Sequence, residues 1–282
     1  MAASPRVRMA KAAVAAVALA VAVGGEATVA KALSEGGLQR STAPSFGPAA
    51  ADRSMALVAA DRDLLRAPLA AHTALPVTDV SQRKLLLGLP ATLSPDGAGI
   101  DVGYADAPTT LTLFEDFRCS TTAAFEAAQG AGLAQLAADH KVLLRYVMES
   151  SLDQRLPGPG ALLATNAARS ALAHGGFPEY HALLFANQPD ESVDGFTEAR
   201  LLQLASSVPG LRGKAFDAEV HDLWYRSWVT QAQDAYTAAK VHHGTPSMLL
   251  DGTEVDLGAH PELLTSPAAL TALVQQAPEQ QR

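Results

Sequence analysis

A chain of 282 residues, 48% hydrophobic and 18% charged, is long enough for one or two domains with a sizeable core. Its net charge of −8, with no Lys/Arg stripe to offset it, argues against a nucleic-acid partner. The single cysteine excludes an internal disulfide and a Cys-rich zinc site, and no His-x-x-x-His pattern replaces one, so neither a metal nor a cofactor is expected.

The N-terminus reads as an export segment. Arg6, Arg8 and Lys11 surround the start of an uninterrupted apolar run over 12–23. That run is shorter than the ~20 residues of a spanning helix. Small residues at Gly25 and Ala27, or at Thr28 and Ala30, suit a peptidase, which favours a cleaved signal over a membrane anchor. Residues 1–30 are therefore signal peptide or tether, and the body is expected to be extracytoplasmic, where thiol–disulfide chemistry is permitted. Residues 31–90 read as a linker, small, polar and Pro/Gly-bearing over 33–54, followed by short helices over 55–69 and 80–87.

The folded domain is expected over 91–276, with 277–282 as a tail. Residues 100–104 (IDVGY) alternate as a strand, and 110–114 (TLTLF) form a stronger one. Helical spacing follows over 121–138, with Phe125, Ala128, Leu133 and Leu136 on one face, and 142–148 (VLLRYVM) is again a strand. Strand, helix, strand implies a parallel pair with a right-handed crossover. After Pro157-Gly158-Pro159-Gly160, nearly everything to residue 240 reads as helix: 161–174, 178–186, 197–208, and a long stretch over 214–240 that admits a break near Val220. Trp224 and Trp228, four apart, are expected to share a face and, with Tyr225 and Tyr236, to fill the core of this block. Asp251-Gly252 between strands 247–250 and 253–257 is a hairpin signal, and 261–275 reads as a last helix. The fold class is α/β: a mixed sheet of four or five strands with helices on both faces and a helical block inserted at about 158–240. The strands on either side of that block are too few to close separate sheets.

Cys119 sits where the second strand gives way to the first helix. Free N–H groups and the helix dipole favour a thiolate at such a place. Ser120 and Thr121 offer caps, and Arg118 adds positive charge. The alternative is a buried structural cysteine. His242 and His243 precede a Thr-Pro that leads into a later strand, and either a site histidine or an exposed loop pair fits. Glu115 and Asp116 end the strand before the cysteine. Alternation lets at most one of them face it, as a partly buried acid, and a solvated strand end fits as well. The Gly158–Gly160 turn lacks the Lys-Ser/Thr of a phosphate loop, and no Gly-x-Ser-x-Gly elbow is present.

Three segments carry a resemblance. Residues 114–126 (FEDFRCSTTAAFE) resemble the active-site segment of DsbA-like bacterial thiol–disulfide oxidoreductases, in which a C-P-x-C motif opens the helix. Residues 177–188 (FPEYHALLFANQ) are similar to a helix of that family's insertion, and 243–252 (HGTPSMLLDG) to its cis-proline loop and hairpin. The three keep the family's order and cover roughly 91–276, implying a thioredoxin-like sheet. The resemblance also implies Cys119 as the attacking thiol and Thr245 and Pro246 as the loop that faces it and holds an extended peptide. Partners would be protein or peptide thiols and disulfides, with a small-molecule thiol as a further class. Two departures stand out: Ser120 replaces the proline, and Thr122 replaces the resolving cysteine. The chain cannot store an internal disulfide, but exchange through a mixed disulfide needs only one thiolate. Thr122 Oγ1 is expected to donate a hydrogen bond to the sulfur. The leading expectation is single-cysteine thiol–disulfide exchange. The alternative is a redox-inactive module that binds extended or unfolded peptides through the cis-Pro loop. One-cysteine peroxide reduction is less supported, because Asp116 stands where that class usually carries threonine.

Overall fold

A computed structural model of the chain describes residues 80–280. The export segment, the linker and the helix expected over 55–69 lie outside the described residues.

A short helix, α1 (Val80–Gly88), precedes two small strands, β1 (Ala91–Leu93) and β2 (Ile100–Val102). The strand-helix-strand unit is β3 (Thr110–Glu115), α2 (Ser120–Ala138) and β4 (Leu143–Met148). The helical block contains α3 (Gly160–Ala173), α4 (Phe177–Ala186), α5 (Glu198–Ala205), α6 (Lys214–His221) and α7 (Arg226–Ala239). The chain closes with β5 (Ser247–Leu250), β6 (Thr253–Glu254) and α8 (Pro267–Gln280). Among the described residues, no helix is long and apolar enough to cross a membrane.

The sheet order is β1-β2-β4-β3-β5-β6. Only β3 and β4 are parallel, in the register Leu111–Leu144 and Leu113–Tyr146. The crossover helix α2 therefore has to pack on one face, as the sequence predicts. Alternation sorts the side chains of β3. Leu111, Leu113 and Glu115 belong to one face. Thr110, Thr112 and Phe114 belong to the other, where Phe114 meets Tyr236 of α7 at 5.7 Å between ring centroids. Phe125, Leu133, Ala134 and Ala137 of α2 are buried in the core. Helices thus cover both faces of a mixed sheet.

Several details differ from the sequence reading. The last helix runs over Pro267–Gln280 rather than 261–275 and so enters the residues read as a tail. The sheet has six strands, because β1 joins its edge. With Thr92 and Leu93 exposed, three residues are too short a run to read as a strand. The long helix expected over 214–240 is two helices, separated where Leu223 takes a left-handed φ of 51°. That break separates the two tryptophans. Trp228 is buried and its indole N–H donates to Gly97 O at 2.7 Å, whereas Trp224 is 66% exposed and fills no core. The hairpin forms as expected. Asp251 (φ 49°) and Gly252 (φ 83°) supply the two positive φ angles of a type I′ turn.

Candidate active site

The thiol lies at the carboxyl end of β3, the sheet position where a strand hands over to a helix. Cys119 is the N-cap of α2, with extended φ/ψ of −70°/115°. Its carbonyl accepts the first helical bond, from Ala123 N at 3.1 Å, and its own N–H donates to Asp116 O at 3.0 Å. The residue is partly exposed.

The second half of the site arrives from the far end of the chain. The Thr245-Pro246 bond is cis, and the Cys119 thiol donates to Thr245 O at 3.2 Å. Sulfur and loop, 126 residues apart, therefore meet. The contact needs the proton on sulfur, because a thiolate there would repel the carbonyl oxygen.

Other expected members sit differently. Thr122 is fully buried and its hydroxyl has no hydrogen-bond partner, so the bond expected to sulfur is not made. Arg118 is 2% exposed and turns away from the thiol. Its guanidinium donates to Asp153 Oδ1 at 2.8 Å, to Gly158 O at 3.1 Å and to Glu191 O at 3.3 Å. Asp153 in turn accepts the N–H groups of Ala161 and Leu162 at the start of α3. His243 pairs with Asp256 at 3.2 Å, and His242 with Glu254 at 2.7 Å.

Glu115 and Asp116 are both fully buried and face opposite ways. Glu115 Oε2 is 2.7 Å from His181 Nε2 of α4. Burial pushes the Glu115 carboxyl up to about 8, against a hydrogen bond from Glu126 that pulls it down. Burial and then the charge of Glu115 hold Glu126 well above the carboxylate range, while burial lowers His181. Asp116 accepts the N–H groups of Arg118 and Leu152. Burial, then the nearby Glu149, raises Asp116 well above its ordinary value, and burial raises Glu149 too. Tyr236 is pushed up to about 12 by partial burial and by the negative charges of Glu149, Asp116 and Cys119. Beneath the thiol, then, lie two acid pairs that burial drives toward their protonated forms.

Sequence reading assigned no role to the loop after α4. Gln188 Nε2 donates to Phe117 O at 2.7 Å and to Cys119 O at 2.9 Å, fixing the turn that carries the thiol. Glu191 accepts from Ser120 N at 3.1 Å and Ser120 Oγ at 2.5 Å. A carboxylate from the insertion thus caps the very helix end whose N–H groups would stabilise a thiolate. Glu191→Gln removes that charge and keeps a carbonyl acceptor. Alkylation of Cys119 at neutral pH is expected to speed up about 2- to 5-fold, the range of a helix-end charge; an unchanged rate of iodoacetamide labelling would show that Glu191 does not act on the thiol.

Comparison with known proteins agrees with this fold. Residues 96–267 match the family model described as Thioredoxin. The fold is similar to the disulfide bond oxidoreductase DsbG of Mycobacterium tuberculosis, with 22% identity over 69% of this chain and 91% of that one, and a TM-score of 0.54. BdbD of Bacillus subtilis is similar over 68% of this chain and 98% of its own, at 17% identity and a TM-score of 0.55. The thiol-disulfide oxidoreductase MdbA of Actinomyces oris is 26% identical over 63% of this chain and 84% of its own, with a TM-score of 0.52. No curated protein matches the chain by sequence.

Proposed function

Because the chain belongs to the DsbA-like thioredoxin family, we propose that it exchanges thiols and disulfides through Cys119 alone, by way of a mixed disulfide, outside the cytoplasm. The observation that carries this reading is the 3.2 Å contact between the thiol and Thr245 O. It puts the sulfur against a backbone edge along which an extended peptide could lie. The cycle balances with one cysteine. The Cys119 thiolate attacks a disulfide R–S–S–R′, the S–S bond breaks, R′–S⁻ leaves, and Cys119–S–S–R forms. A second thiolate, supplied by the same substrate or by a small thiol, attacks the mixed disulfide at the R sulfur and returns Cys119. If the resolving thiol is in the substrate itself, the outcome is isomerisation. If it comes from a small thiol G–SH, the product is R–S–S–G, and a second G–S⁻ then releases R–S⁻ and forms G–S–S–G, so the substrate is reduced at the expense of two small thiols. Loss of the sulfur proton also removes the hydrogen bond to Thr245, which frees the loop carbonyl for the incoming peptide.

Cys119→Ser should abolish both mixed-disulfide adducts with oxidised glutathione, read by intact mass, and the acceleration of disulfide-peptide reduction by glutathione above its uncatalysed rate. Undiminished reduction by this variant would sink the proposal. The second reading, a peptide-binding module without turnover, draws on the buried Thr122 in the resolving position. It requires an unfolded peptide to bind equally well to wild type, to Cys119→Ser and to alkylated protein, with no adduct formed under any redox buffer.

A further inference from the structure

Behind the thiol helix lies a cavity of about 310 Å³ bounded by α1, α2, α4 and the sheet residues Val102, Leu144 and Tyr146. Its walls are mostly apolar and include no lysine or arginine, yet Glu126 and His181 open onto it. Glu115, at the end of β3, completes a cluster in which one donor atom from each of the three residues lies within 4.8 Å of the others. Two carboxyl groups therefore sit together among buried residues with no lysine or arginine lining the space beside them. Arg83, on the adjoining helix α1, is already paired with Glu179 at 2.8 Å.

We propose that Glu115, Glu126 and His181 bind a divalent metal ion of the zinc class, with an open coordination position facing the cavity. This site is independent of Cys119. Three observations point to a ligand. Glu115 Oε1 and Glu126 Oε1 are buried oxygens with no partner outside the pair of carboxyls, and the hydrogen bond between the two carboxyl groups holds a proton that an ion would displace. The donor set is one imidazole nitrogen and two carboxylates, which suits Zn²⁺ and its neighbours and lacks the thiolate a soft ion selects. Finally, the glycine one turn beyond Glu126 makes room for its carboxylate: a Cβ on Gly130 would come within 2.8 Å of Glu126 Oε2. A mid-helix glycine costs about 1 kcal/mol relative to alanine. The 2.7 Å contact between His181 Nε2 and Glu115 Oε2 needs to open by only about 0.5 Å to admit an ion at the usual ~2.0–2.2 Å from each donor. The fourth position would hold water or a small ligand in the cavity, the arrangement of three-ligand zinc sites.

The test uses the full chain carrying Cys119→Ser, so that the thiol cannot contribute a ligand. The protein is stripped with a chelator, dialysed and titrated calorimetrically with ZnCl₂. One ion per chain is expected, together with a rise in melting temperature over the stripped protein. Glu126→Gln and His181→Asn, each checked for folding by circular dichroism, should weaken that binding by about 100-fold, the upper end of what even a ligand's supporting partner costs. Glu115→Gln serves as the replacement variant if either fails to fold. An absence of binding overturns the site. So does binding that survives these substitutions, which would place the ion on surface pairs such as His242 with Glu254. Neither result bears on thiol exchange, which is read separately at Cys119.

Discussion

Thr122→Cys should turn this single-thiol protein into a dithiol one. Thr122 is one helical turn from Cys119, a spacing at which Cα atoms fall within the ~4.4–6.8 Å that a disulfide spans. The site is ready for sulfur. The threonine is fully buried, and because its hydroxyl has no partner, no hydrogen bond is lost. Stability should change by no more than about 1 kcal/mol. Oxidised with diamide, the variant should lose both free thiols, and it should then oxidise a reduced, unfolded substrate in a glutathione buffer. Wild type cannot store the two electrons, so turnover should rise roughly tenfold or more above the uncatalysed background. If both thiols of the oxidised variant remain titratable, the helix start is not arranged as described and the assignment of Cys119 to the attacking position fails with it.

Arg118→Ala carries the largest stability cost expected. The side chain is 2% exposed and ties three segments together: Asp153, the Gly158 turn and the Glu191 loop. Truncation strands Asp153 beside the start of α3 without its cation. Breaking a buried pair on one side costs about 3–5 kcal/mol, which in a domain of this size lowers the melting temperature by roughly 10 °C. Arg118→Lys should recover only part of this, because an ammonium cannot reach all three acceptors from one point. A loss below about 1 kcal/mol for Arg118→Ala would mean that the three segments hold without it.

The parts of the site legible in sequence are those marked by backbone chemistry. A cysteine between a β-branched run and an alanine-rich helical run marks a helix start, although the N-cap is Cys119 itself rather than Ser120 or Thr121. A Thr-Pro ahead of an apolar run is a loop feeding a strand. Both readings correspond to the observed elements, and the sulfur and Thr245 O meet. Glu126 could not be read that way. In a chain of small residues a glutamate looks like the solvent face of a helix. It turns inward here because Ala123, Ala127 and Gly130 line the cavity beside α4. No metal spacing appears along the chain because the three proposed donors come from a strand, a helix and the insertion. Glu191 lies in a loop with no periodicity at all. Trp224 departs for a different reason: the sequence admits a break near Val220, but leucine rarely takes φ > 0, so it does not place that break at Leu223, where it moves Trp224 off the shared face.

β3 takes its two neighbours at very different times in synthesis. Leu111 pairs with Leu144 of β4 soon after it is made, but its other partner, Leu250, follows the whole helical block. Such long-range pairing makes folding slow. Until β5 emerges, β3 is an unpaired edge, lined by Leu111 and Leu113 and ready to add a strand from another chain. A product ending before Ser247 would keep that edge open for good. The strand that presents the thiol in the finished protein is thus the one most prone to self-association in an unfinished copy, and chains cut short in the insertion should be found in aggregates rather than as soluble fragments.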